Sequence, residues 1–222
     1  MISKLNELSN TSNLVNFFYS NRLFFSESGN LRPAIFLDRD GVVIKDKHFI
    51  SLSKDVELEF GVNNLFSLAN SLNIPVIIIT NQSGISRGFF NWDDYLKVTE
   101  EMVKQINIDN SLIAIFANGL GPDAPLHSWR KPSPLMIQNA SFNLKIDLSK
   151  SIIIGDRLTD LISGLNSGII NLIHVKTGHG MSEQKKIENY FDKLSDEEAK
   201  KPIFINNFSE ESLKIIEKII KS

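Results

Sequence analysis

Four short polar clusters carry the side chains able to do chemistry in this chain. They are Asp38-Arg39-Asp40-Gly41, Thr80-Asn81-Gln82-Ser83-Gly84, Arg130-Lys131 and Gly155-Asp156. Asp38 and Asp40, spaced i and i+2 just past an apolar run, can both face one crevice if the chain turns, and Gly41 supplies the freedom for that turn. Bare carboxylates repel a phosphoryl group unless a cation lies between them. Mg2+ suits that place, being a hard ion held by one or two carboxylates together with substrate oxygens and water. Asp156 is a further ligand arriving from another cluster. Lys131 offers a point positive charge to phosphoryl oxygens, and the Thr80 hydroxyl with the backbone N–H groups of Asn81 to Gly84 offers neutral donors.

The elements that would bring these clusters together are legible as an alternation. Ala34 to Leu37 and Val76 to Ile79 are apolar runs too short for helices. Ser151 to Ile154, Leu112 to Ala117 and Ile169 to Val175 are of the same kind, and all read as buried strands. Helical periodicity runs from Gly61 to Asn73, from Trp92 to Ile106 behind a capping Asn91, from Pro134 to Leu144 and from Leu158 to Ser167. A charged helix near 183 to 193, a strand at Ile203 to Ile205 and a helix from Ser209 close the chain. Strands and helices in this order predict a Rossmann-like α/β fold, a three-layer α/β/α domain whose central parallel sheet has right-handed crossovers. Ligands in such sheets bind beyond the carboxyl ends of the strands, where all four clusters fall. Residues 1–31 are polar with scattered aromatics, including Phe17, Phe18, Tyr19, Phe24 and Phe25. Their spacing suits a short helix docked on the domain of residues 32–222.

Composition narrows the function classes. The 222 residues suit one compact core. With 24 basic and 26 acidic residues the net charge is -2, so no overall basic field draws the chain to nucleic acid or to an anionic membrane. The absence of cysteine removes thiol catalysis and disulfides. No apolar run reaches the roughly 18 residues of a membrane span. The expectation is a cytoplasmic protein, acting as a monomer on a small molecule.

The four clusters, in this order, resemble the motifs of the haloacid dehalogenase (HAD) superfamily of aspartate-nucleophile phosphatases. The phrases AIFLDRDGVV, ITNQSGISRG, RKPSP, GDRLTD and VKTGHG are similar to those of the D,D-heptose 1,7-bisphosphate phosphatases, a likeness running from about Ala34 to Gly180. The resemblance implies that Asp38 attacks phosphorus while Asp40 protonates the leaving sugar oxygen and later takes a proton from water. It implies a magnesium ion held by the carboxylates of Asp38 and Asp156 and the backbone carbonyl of Asp40. Thr80, Asn81 and Lys131 would hold the transferring phosphoryl group, with Gln82 and Ser83 beside them. Arg130, Arg157 and Arg87 match positions that meet substrate, and the segment with Asp46 and His48 matches a small flap that closes on the sugar. No large cap domain fits between the motifs.

One departure from the pattern concerns zinc. Related sequences carry cysteines and a histidine before the Arg-Lys-Pro phrase, whereas Asn118 to Trp129 here offers His127 alone, so no structural zinc is expected. The loop is expected to be held instead by Pro122, Pro125 and the packing of Trp129. Other readings stay open. Histidinol-phosphate phosphatases share the GDRLTD phrase, and polynucleotide 3'-phosphatases share the TNQ and RKP phrases. A non-catalytic sugar-phosphate binder would use the same rim. Taken singly, the aspartates are ordinary turn and cap residues, Arg130-Lys131 a solvated basic turn, and His48 an exposed flap residue. Asp160 is read as a structural cap of its helix.

Overall fold

The structure, a computed structural model, describes residues 14–19, 31–106, 113–195 and 199–221. Its strands are β1 (Leu14–Tyr19), β2 (Ile35–Leu37), β3 (Val76–Asn81), β4 (Ile113–Asn118), β5 (Ile152–Gly155), β6 (Asn171–Val175) and β7 (Ile203–Ile205). Its helices are α1 (Val62–Ser71), α2 (Ser83–Ser86), α3 (Trp92–Ile106), α4 (Leu135–Leu144), α5 (Leu158–Ser167), α6 (Gly180–Phe191) and α7 (Glu210–Lys221). One sheet orders the strands β1-β4-β3-β2-β5-β6-β7. The six from β2 to β7 are parallel, as expected of βαβ units.

Alternation along the strands divides the core into two layers. Ile35, Leu37, Val76, Ile78, Ile152 and Ile154 point to the face covered by α1, α3 and α7, through Leu65, Phe66, Val98, Met102 and Ile216. Phe36, Ile77, Ile79, Phe116 and Ile153 point to the opposite face, covered by α4, α5 and α6 through Met136, Ile137, Leu161, Ile187 and Phe191. Both faces being apolar explains why these strands read as continuous hydrophobic runs. Asn91 caps α3 reciprocally: the Asp94 N–H donates to Asn91 Oδ1 at 3.0 Å and the Asn91 N–H to Asp94 Oδ2 at 3.1 Å. The Ser209 hydroxyl accepts the Ser212 N–H at the start of α7.

The helix expected in residues 1–31 is corrected over its one described stretch. Leu14–Tyr19 is a strand, antiparallel to β4, with Leu14 opposite Asn118 and Tyr19 opposite Ile113. The sequence LVNFFY is rich in aromatic and β-branched residues that favour a strand, and β4 would otherwise present an open edge of N–H and C=O groups. Phe24 and Phe25 lie outside the described residues. Other differences are small: α6 starts at Gly180 rather than near 183, and the short α2 follows β3 directly. Among the described residues no helix is long and apolar enough to cross a membrane.

Candidate active site

β2 lies at the centre of the sheet, between β3 and β5, so the chain leaving its carboxyl end sits at the point where the strand order reverses. Asp38 stands there, Thr80 and Asn81 end β3, Lys131 arrives from the loop after β4, and Asp156 follows β5. The expected convergence is therefore present. Asp38, Lys131 and Asp160 form one buried ion-pair network. Lys131 Nζ lies 2.9 Å from Asp38 Oδ1 and 2.7 Å from Asp160 Oδ1, and donates to the Ile79 carbonyl at 2.9 Å. Burial works to lower the Lys131 ammonium, but Asp160 and Asp38 outweigh it and hold it above its usual value. Asp38 Oδ1 also accepts the Arg39 N–H at 2.7 Å, which fixes the rotation of the carboxylate.

Carboxylate oxygens of Asp38, Asp156 and Asp160 lie within 4.8 Å of one another, all three residues buried. Burial pushes the Asp156 carboxyl up to about 8, with Asp160 and Asp38 adding repulsion. Burial likewise raises Asp38 to about 7, against the pull of Lys131. Asp156 Oδ2 accepts the His179 N–H at 2.7 Å, while its buried Oδ1 has no hydrogen-bond partner among the described residues. A hard divalent cation fits this donor set: it supplies the missing partner and the charge that stacked carboxylates require. The carboxylate of Asp40 is not in this cluster. It turns instead to Arg39 and Gln82.

The backbone explains the close approach of these loops. At Gly41, with φ +83°, a Cβ would stand 2.6 Å from Asp156 Oδ2 and 2.9 Å from the Gly178 Cα. Gly178, with φ +53°, is pressed against Gly41 and Asp156 in return, so only two glycines allow the first motif and the Lys176–Gly180 loop to enclose the Asp156 carboxylate. Thr177 Oγ1 donates to the Gly41 carbonyl at 2.6 Å.

Around this centre opens a cleft of about 360 Å³. Asp46, His48, Ser83, Arg87, Arg130 and Arg157 all line it. Asn81 also lines it, but its side chain is tied reciprocally to the backbone of Lys131, with N–H to Oδ1 at 3.1 Å and Nδ2 to O at 3.2 Å. Gln82 lines it as well; it is 4% exposed, and its amide is engaged by Arg39, Asp40 and Thr80. Asp46 Oδ2 pairs with His179 Nε2 at 2.8 Å, and His48 is exposed, its ring against Phe49. Arg87 lies over the Phe49 ring, while Arg130 Nη1 donates to the Leu120 carbonyl at 3.0 Å and so braces the loop before Lys131. Trp129 packs against Phe116 on the α4 side of the sheet.

Two residues outran the sequence reading. Asp160 does cap α5, its Oδ2 accepting the Arg157 N–H at 3.0 Å, yet its other oxygen pairs with Lys131 inside the site. His179 joins the flap to Asp156. The only cue to it was its place in the VKTGHG phrase.

Comparison with known proteins agrees with this geometry. The HAD-hydrolase-like family matches residues 128–197. The chain is 33% identical over 170 residues to the D-glycero-beta-D-manno-heptose-1,7-bisphosphate 7-phosphatase of Helicobacter pylori, covering 73% of this chain and 98% of that protein. It is 35% identical over 144 residues to the protein of the same name from Mesorhizobium japonicum, covering 62% of this chain and 66% of that one. In fold it matches the D,D-heptose 1,7-bisphosphate phosphatase of B. bronchiseptica, crystallised with magnesium and phosphate, with a TM-score of 0.72 at 23% identity over 84% of this chain and 99% of that one. With a relative above 30% identity matched almost end to end and the motif residues gathered at one sheet edge, the chain belongs to the HAD-like hydrolases and is a phosphoric monoester hydrolase of that superfamily.

Proposed function

We propose that the chain removes the C7 phosphate from D-glycero-D-manno-heptose 1,7-bisphosphate, using Mg2+ and a phosphorylated Asp38. The names of its relatives support a heptose bisphosphate. The observation that carries the reading is a second cationic zone. Besides Lys131 on the floor, the cleft presents Arg87, Arg130 and Arg157. Burial and then the charges of Arg87 and Arg157 lower the Arg130 guanidinium, so the three arginines feel one another. Guanidinium groups gathered at the cleft suit a further anionic group on the substrate, as a bisphosphate has.

Asp38 Oδ1 is occupied by Lys131 and the Arg39 N–H, leaving Oδ2 as the attacking oxygen. A bond forms between Oδ2 and phosphorus as the phosphorus–oxygen bond to the sugar breaks. The electron pair of the breaking bond goes to the sugar oxygen, which receives the proton of Asp40. Water then adds to phosphorus and gives a proton to Asp40, and the bond to Oδ2 breaks with its pair returning to Asp38. Thr80 and Lys131 orient the phosphoryl group throughout. Held by the carboxylates of Asp38 and Asp156 and the carbonyl of Asp40, Mg2+ supplies the positive charge that lets an anionic nucleophile meet an anionic phosphoryl group.

Turnover of heptose 1,7-bisphosphate, heptose 7-phosphate, histidinol phosphate and a 3'-phosphorylated oligonucleotide, measured side by side, tests the assignment. The bisphosphate is expected to have the highest kcat/KM, with its advantage lost in Arg130→Ala. Preference for histidinol phosphate or the oligonucleotide would replace the heptose reading. Acid quenching during turnover is expected to trap phosphoprotein in the wild type and none in Asp38→Asn.

A further inference from the structure

We infer that Arg39 and Gln82 are a positioning pair that holds the Asp40 carboxyl group in the orientation needed to protonate the leaving oxygen, an inference that rests on Asp40 acting as acid and base. Arg39 has a side chain 1% exposed, an unusual place for a guanidinium. It folds back on its own neighbour: Nη2 lies 3.0 Å from Asp40 Oδ1, and Nε lies 3.3 and 3.2 Å from the two carboxylate oxygens. Its flat face stacks on the buried Tyr95 of α3, 5.0 Å from the ring centre.

Gln82 completes the hold, and its orientation follows from the inventory of donors. Arg39 has only donors, so the Gln82 atom facing Nη2 at 3.0 Å must be the carbonyl Oε1. The amide Nε2 is thereby directed to Asp40 Oδ2 at 2.7 Å and to Thr80 Oγ1 at 2.8 Å. One buried amide thus ties the acid to the hydroxyl on the phosphoryl side. Asp40 is held from its buried side and keeps its remaining surface, 24% exposed, toward the cleft. A buried ion pair is no stabiliser by default, since apolar replacements often match or exceed it. An arginine buried beside this one carboxylate is explained by a need for fixed geometry.

A structural role and a positioning role differ in how they depend on the leaving group. A sugar alkoxide departs only with a proton from Asp40, whereas a nitrophenolate departs without help. We therefore compare kcat/KM, which reports phosphoryl transfer to Asp38, for heptose bisphosphate and for p-nitrophenyl phosphate. In Gln82→Leu the sugar phosphate is expected to lose about tenfold or more, a part of the ~10²–10⁴-fold that a positioned acid supplies, while the aryl phosphate loses less than about threefold. Gln82→Glu, which keeps an oxygen for Arg39 but has no N–H for Asp40, is expected to show the same selectivity. Added to Asp40→Asn, Gln82→Leu is expected to cost nothing further on the sugar phosphate. Thermal melts of each variant separate loss of fold from loss of rate.

Equal losses on both substrates in both Gln82 variants, beside a selective Asp40→Asn, would overturn the pair and leave the role of Asp40 standing. Equal losses in Asp40→Asn itself would overturn the reading of Asp40 as acid, and the inference with it.

Discussion

Lys131 has three donors and an acceptor for each: Asp38, Asp160 and the Ile79 carbonyl. Its side chain is 2% exposed, so the charge is kept inside by its partners rather than by water. Lys131→Met would remove the single cation between two buried carboxylates. Breaking a buried pair from one side costs about 3–5 kcal/mol, so the variant is expected to melt well below the wild type as well as to be inactive. A second change, Asp160→Asn, is expected to restore part of the stability and none of the activity, and thermal unfolding with a turnover assay reads both. Residue types were legible here where they sit at strand ends, as Asp38 and Asp156 do. Asp160 was half legible, because an aspartate three residues into a helix gives the same signal whether or not its second oxygen meets a lysine. Gln82 was placed in the site but not given its partners, since two of them, Arg39 and Asp40, come from a neighbouring motif.

At the scale of elements the sequence carried the parallel sheet and its six flanking helices nearly to the residue, because both faces of the sheet are buried and its strands read as continuous apolar runs. It did not carry β1, whose strand partner among the described residues is β4, about a hundred positions away. Nor did it carry the link of the first motif and the flap to the loop after β6. That link has two parts: the glycine contact of Gly41 with Gly178, and the pairing of Asp46 with His179. The His179 ring is 42% exposed, so its bond to Asp46 is discounted to about 0.5–1 kcal/mol, or roughly two- to fivefold in an equilibrium. His179→Ala keeps the backbone N–H that serves Asp156, and steady-state kinetics should therefore show KM raised by about that factor with kcat nearly unchanged. Gly178→Ala is a different matter. A Cβ there meets Asp156 and Gly41 at a positive φ, so kcat itself is expected to collapse with the metal site.

Across the whole molecule the site is a reservoir of repulsion that a cation would relieve. Asp38 and Asp156 ionise near 7 and 8 in the folded chain against 3.8 as free groups. A carboxyl whose folded value is raised binds more protons folded than unfolded, so the metal-free protein is most stable below about pH 4 as far as these groups decide it. That stability is lost as pH rises through about 7 to 8. Mg2+ held as proposed would act in the opposite sense, because it would bind the ionised carboxylates and have to displace their protons. Calorimetric melts with and without Mg2+ at pH 6, 7 and 8 should therefore show a metal-induced rise in Tm that grows with pH. A hundredfold excess over Kd corresponds to about 2.7 kcal/mol at any one pH, so the growth reports the pH dependence of Kd. In Asp156→Asn the rise should be small at every pH. A rise in the wild type that is equal at pH 6 and pH 8 would mean the ion does not sit on these carboxylates, and the charge balance needed for the proposed attack of Asp38 on phosphorus would have to come from Lys131 and the arginines alone.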